Sequence, residues 1–134
     1  MINLSDPSLL LGDSELEVIN EVSRFLKAGI PSTDMEAERL KYASESIRLQ
    51  EEISNLKSMI TYSRSIYWKS VCESESEALE DIREEYSRVA DQNRALYLNS
   101  KVVDVRKTYD AMDTLIDRLN SMEWNLKGVF RAVS

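Results

Sequence analysis

Apolar residues return every three or four positions along most of this chain, the rhythm of helices that bury one face. Leu16, Ile19, Val22 and Leu26 form a first stripe. Leu40, Ala43 and Ile47 start a second, which changes frame near Leu49 and continues through Ile53, Leu56, Ile60, Ser63 and Tyr67. Such a frame change resembles a coiled-coil discontinuity. Leu79, Ile82, Tyr86, Val89, Asn93 and Leu96 give a third stripe, with Asn93 its one polar member. A lone Asn on a seam fixes register at a cost in stability. The last stripe is the longest. Val102, Tyr109, Ile116, Glu123 and Phe130 hold one heptad position, and Val105, Met112, Leu119, Leu126 and Val133 hold the other.

Breakers punctuate the pattern sparsely. Neither Gly nor Pro occurs between Ser32 and Lys127, and one helix of that length would run about 140 Å at 1.5 Å per residue. The segment is therefore a rod or folds back through turns that lack both residues. Strand-length alternation is absent, so the expected fold is all-α: a helical hairpin or coiled-coil bundle of about four helices in one domain. Residues 1–12 read as an irregular arm carrying Leu9-Leu10-Leu11, and 13–29 as a short helix stopped by Gly29 and Pro31. Coiled-coil-type helices are expected over 33–72, 75–97 and 101–133. Capping boxes, in which a hydroxyl and a carboxylate three residues apart satisfy free backbone donors, are suggested by Ser14/Glu17, Thr33/Glu36 and Ser74/Glu77. Asn99 or Ser100 is the expected N-cap of the last helix.

The last seam is narrow and the chain short, so oligomerisation through it is the economical expectation. Its members would be Val102, Val105, Tyr109, Met112, Ile116, Leu119, Leu126, Phe130 and Val133.

Composition removes most catalytic classes. The chain has 134 residues, no His, a single Cys and three Gly. A His-based triad or metal site, a disulfide framework and a phosphate-binding glycine loop are all excluded within it. No metal, cofactor or catalytic residue is assigned, and an enzyme is not expected. The longest apolar run has three residues, so no membrane span is expected. Without a signal-peptide pattern at Met1–Asp6 and with one thiol, Cys72, the expected location is the cytoplasm of a cell or of a virus-infected cell. Cys72 itself reads as an inert, partly buried thiol.

Charge is uneven. The net of −7 divides into −6 over residues 1–38, +3 over 39–72, −5 over 73–98 and +1 over 99–134. The stretch Ser54–Val71 holds no acid but carries Lys57, Arg64 and Lys69 among Tyr62, Tyr67 and Trp68. Cations attract phosphates and flat rings stack on unpaired bases, so Lys57, Arg64 and Lys69 with Tyr62 and Trp68 form a candidate site for single-stranded nucleic acid. The alternative places Lys57 and Arg64 beside a seam, paired with acids that the Glu-rich stretch 73–85 would supply. Trp124, next to Glu123, is expected to fill core volume, with a role as an exposed anchor for a partner as the alternative.

One segment adds a further expectation. Thr114–Lys127 runs as an apolar helix, a short polar step, an aromatic and an apolar-Lys pair, preceded by Asn99-Ser100-Lys101 where a last long helix would begin. In this it resembles the small helical recombination mediators of tailed phages, the UvsY family, although Glu123 stands where members usually carry Gly. The resemblance implies a ring-like homo-oligomer that binds single-stranded DNA and helps load a RecA-like recombinase, without catalysis. The competing expectation is a coiled-coil adaptor, virion component or small inhibitor that binds protein only.

Overall fold

The computed structural model describes residues 11–30 and 35–133, and the fold among them is all-α. Four helices follow in order: α1 (Asp13–Ala28), α2 (Glu36–Glu85), α3 (Val89–Leu98) and α4 (Ser100–Val133). The segment from 36 to 133 is a hairpin rather than a rod. Cross-helix ion pairs run Lys57–Glu123, Arg64–Asp113, Glu75–Arg106 and Glu77–Lys101, so numbers rise along α2 as they fall along α4.

Two apolar clusters hold the hairpin. At the open end Leu49, Ile53, Leu56 and Ile60 of α2 meet Leu115, Ile116, Leu119, Met122 and Leu126 of α4. Ile19 and Val22 of α1 close the cluster, so this end is a three-helix bundle. Ser46, fully buried, donates a 2.8 Å hydrogen bond to the Leu126 carbonyl. At the turn end Ala78, Ile82, Leu96 and Val102 form the second cluster, which joins the end of α2 to α3 and the start of α4. No α2 residue between Ile60 and Val71 is buried, which leaves a waist between the clusters.

Several expected boundaries move. α2 passes unbroken through Cys72–Ser74, and the chain reverses at Tyr86–Arg88 instead. Both flanking residues, Tyr86 (φ −120°, ψ 126°) and Arg88 (φ −88°, ψ 134°), are extended backbone that any L-residue adopts. Gln92 Nε2 then donates to the Tyr86 carbonyl at 2.8 Å. The reversal therefore needs neither Gly nor Pro, and a search for breakers passes over it. Because the third stripe is cut there, Tyr86, Val89 and Asn93 are exposed rather than on a seam.

The capping motifs fare unevenly. α1 starts one residue before Ser14, with Gly12 at its N-cap and no side-chain cap; Ser14 Oγ donates to Glu15 instead. Thr33 lies outside the described residues, as does the arm up to residue 10. Ser74 and Glu77 are interior to α2. Asn99 does what was expected: its Oδ1 accepts from the backbone N–H groups of Lys101 and Val102 at 3.1 and 3.2 Å. Gly29 ends α1 at φ 73°, a left-handed value suited to Gly, and its carbonyl accepts the Tyr42 hydroxyl at 2.8 Å.

The proposed oligomer seam is occupied from within. Val102, Ile116, Leu119, Leu126 and Val133 are buried, and Val105, Tyr109, Met112 and Phe130 are half-buried, in the single chain. α4 also uses a third row, Thr108, Leu115 and Met122, each seven residues apart. A face that receives two neighbouring helices must be wider than a two-row seam.

Two substitutions test this construction. Asn99→Ala should lower stability by about 1 kcal/mol, read as a lower unfolding midpoint by circular dichroism, while Asn99→Asp should keep most of the cap. Gly128, inside α4, would bring an added Cβ to within 4 Å of nothing. Gly128→Ala should therefore raise the midpoint, gaining up to about 1 kcal/mol from helix propensity.

Candidate nucleic-acid interface

The waist of the hairpin is where the acid-free stretch of α2 meets the middle of α4. With few apolar contacts available, the two helices are joined by charge and by rings. Lys57 Nζ donates to Glu123 at 3.3 Å, Arg64 donates to Asp113, and Arg106 Nε donates to Glu75 at 2.8 Å. Between the last two pairs the Trp68 and Tyr109 rings meet at a tilt, centroids 5.1 Å apart. Arg106 also covers the ring of Tyr97 at 4.8 Å. Trp68, Val71, Glu75, Arg106, Tyr109 and Asp110 line one shallow, open depression.

The candidate residues do not all share this face. Lys57 and Arg64 are seven residues apart and lie on the α4-facing flank of α2, and Trp68, 50% exposed, continues beside them. Tyr62 and Lys69 each come five residues after Lys57 and Arg64, so they point roughly 140° away around the helix. Both are exposed, and Lys69 makes none of the ion pairs among the described residues. In exchange the fold brings in Tyr97, Arg106 and Tyr109. Sequence had assigned Tyr109 to an oligomer seam and had given Tyr97 and Arg106 no role. The signal available was the 3–4 spacing of Arg106, Tyr109 and Asp113, which places the three on one face of a helix.

The partners of Lys57 and Arg64 are Glu123 and Asp113 of α4, not the 73–85 stretch. This explains Glu123, the polar member of an otherwise apolar heptad row. Its side chain is 16% exposed and accepts from both Lys57 and Lys127. Burial pushes the Glu123 carboxyl up, but the hydrogen bonds and charges of Lys127 and Lys57 outweigh burial and leave it below the usual range. The Glu75 hydrogen bond likewise holds Arg106 protonated above its ordinary value.

Two other expectations are corrected here. Trp124 is 67% exposed, with the Arg131 guanidinium 5.4 Å above its ring, so it fills no core. It sits next to Glu123 on α4, and the Glu123 row already faces α2. Cys72 is exposed rather than partly buried.

Among the described residues no group of three potential metal ligands occurs, and no helix is long and apolar enough to cross a membrane. No family model, curated protein or solved structure matches the chain. What the waist offers chemically is therefore read from its own groups. They are three cations, each held by one carboxylate, and a ring surface open to solvent. Partly exposed ion pairs contribute only about 0–1 kcal/mol, so a phosphate can replace a carboxylate partner at small cost.

The pH dependence of Glu123 is testable. A carboxyl whose folded-state pKa is depressed contributes stability above its unfolded pKa and loses it as pH falls through the lowered value. Glu123→Gln should lower the unfolding midpoint at neutral pH by the equivalent of about 1 kcal/mol. That difference from wild type should shrink towards zero as the pH falls below the ordinary carboxylate range.

Proposed function

We propose that the protein is a non-catalytic helical mediator of DNA recombination that binds single-stranded DNA along the waist of its hairpin. The observation that carries the proposal is the conjunction of rings and cations at that waist. Trp68, Tyr109 and Arg106 line one open depression, Arg64 stands one turn before Trp68 on α2, and Arg106 covers the ring of Tyr97. Unpaired bases stack on such rings irrespective of sequence, and the guanidinium groups take phosphates. Lys57 extends the same row toward the three-helix end. The resemblance of Thr114–Lys127 to the phage mediators is in keeping with this assignment. It adds the role of helping a RecA-like recombinase onto the strand, in the cytoplasm of an infected cell. Several copies acting together would multiply modest single contacts into firm binding.

A protein-only adaptor is the second reading. It is favoured by the occupation of Lys57, Arg64 and Arg106 by carboxylates of the same chain. The two readings part on one measurement.

Fluorescence anisotropy of labelled single-stranded DNA should show binding that weakens with salt and survives duplex competitor. Trp68→Ala should weaken it by about 1–3 kcal/mol, the usual value of one base-stacking ring, whereas Trp124→Ala should leave it unchanged. Absence of binding at low salt would discard the mediator and leave the adaptor.

A further inference from the structure

The cations of the waist are not free where a strand would lie. Asp113 holds Arg64 and Glu75 holds Arg106, and all four side chains are partly open to water. Arg106 gives both its Nε and a terminal nitrogen to the same Glu75 oxygen, the fork that a phosphate oxygen would take. Glu75 itself lines the depression with Trp68, Tyr109 and Arg106, and Asp110 stands on the same rim. A face that attracted phosphate by charge alone would leave its guanidinium groups unpaired. This one does the reverse.

Resting on the reading that the waist binds single-stranded DNA, we propose that Asp113 and Glu75 are its specificity-determining residues, which make an unpaired base a condition of binding. The argument is one of exchange. A phosphate that takes Arg64 or Arg106 displaces a carboxylate of the same sign, so one charge-assisted bond is lost for each one made. The released carboxylate stays close by and repels the incoming strand. The phosphate contact therefore yields little by itself. A base that stacks on Trp68 or Tyr109 displaces only water, and its gain stands uncompensated. The two acids thus cancel the strand-independent attraction that basic faces have for every nucleic acid. A duplex, whose bases are already stacked on each other, gains nothing in return.

The fold keeps a cation ready for the exchange. Arg106 lies 4.8 Å from the centroid of the Tyr97 ring, a contact that holds it over the face when Glu75 lets go. A purely structural role for the two pairs, as bolts between α2 and α4, predicts the opposite outcome. Their removal would then loosen the waist and weaken whatever binds there.

The test compares an oligothymidylate with an abasic strand of the same length, which keeps the sugar–phosphate chain and lacks the bases. At physiological salt, wild type should bind the first and show no measurable affinity for the second. Asp113→Asn combined with Glu75→Gln should bind both strands more tightly, by up to about fivefold for each carboxylate removed, the worth of one partly exposed ion pair. Its affinity should also fall more steeply with salt, by up to about 0.7 in logarithmic slope for each freed guanidinium. Glu80→Gln makes the charge change of Glu75→Gln roughly 140° further around α2, and should alter neither affinity. Asp113→Glu, which keeps a carboxylate opposite Arg64, should match wild type, with helicity by circular dichroism unchanged throughout. Equal binding of the two strands by wild type would overturn the proposal. So would a double variant whose affinities stay level or fall, or a gain from Glu80→Gln as large as that from Glu75→Gln alone. If oligothymidylate binds neither wild type nor the double variant, the mediator reading itself falls, and this inference falls with it.

Discussion

The packing of α2 against α4 is the interaction on which the remaining structure depends. A helix of 50 residues draws its stability from the face it buries rather than from propensity. Here that face is Leu49, Ile53, Leu56 and Ile60, and every one of them needs α4 opposite. Removing a buried Leu such as Leu119 would cost about 2–5 kcal/mol, a large part of the 5–15 kcal/mol that separates folded from unfolded domains. α1 depends on the same pair, because Ile19 and Val22 have no apolar partner until α2 and α4 have met. α3 depends on it least. Leu96 is its one buried residue, and the helix serves to carry the chain from the end of α2 to the Asn99 cap.

This constraint also creates the site. The two clusters close the hairpin at its ends, so the stretch between Ile60 and Val71 can stay helical without burying apolar side chains of its own. What joins the helices there is polar and partly open to water, and such contacts can be exchanged for those of a ligand. The Lys57–Glu123 pair differs from the other two. Its carboxylate is the less exposed and is held by a second cation, Lys127, so it acts as a fixed point of the hairpin. Arg64 and Arg106 stand with their partners nearer solvent, beside the rings.

Much of this fold is legible in the sequence because helical spacing needs no knowledge of partners. The rows Leu49–Ile60 and Val102–Val133 were visible as seams, and Asn99 as a cap. What escaped required three-dimensional information. The reversal at Tyr86–Arg88 uses only extended backbone and a Gln side chain, which leave no compositional mark. Once it is misplaced to Cys72–Ser74, the wrong acids are brought opposite Lys57 and Arg64, since antiparallel register is fixed by where the chain turns. The row Thr108, Leu115 and Met122 was overlooked for a related reason. A two-helix seam needs two rows, and the third is called for because α4 also receives α1 at the open end and α3 at the turn end. Ser-x-x-Glu, by contrast, was over-read, because a chain rich in Ser and Glu matches it inside helices as readily as at their ends. The separation of Tyr62 and Lys69 from Lys57 and Arg64 was open to arithmetic: five residues along a helix change the face.

The net charge of −7 does not decide what the waist can hold. Charges act through salt solution over about 8 Å at physiological ionic strength. Glu80, Asp81, Glu84 and Glu85 begin twelve residues beyond Trp68 on α2, about 18 Å away at 1.5 Å per residue. Of the nearer acids, Glu75 and Glu77 are bound to Arg106 and Lys101. The acids of residues 1–38 precede α2 or lie in its first turn. A phosphate arriving beside Trp68 therefore meets Arg64 and Arg106, and the nearby carboxylates outside the ion pairs of the described residues are Glu73 and Asp110. Local arrangement, not the total, sets the sign of the field at this face.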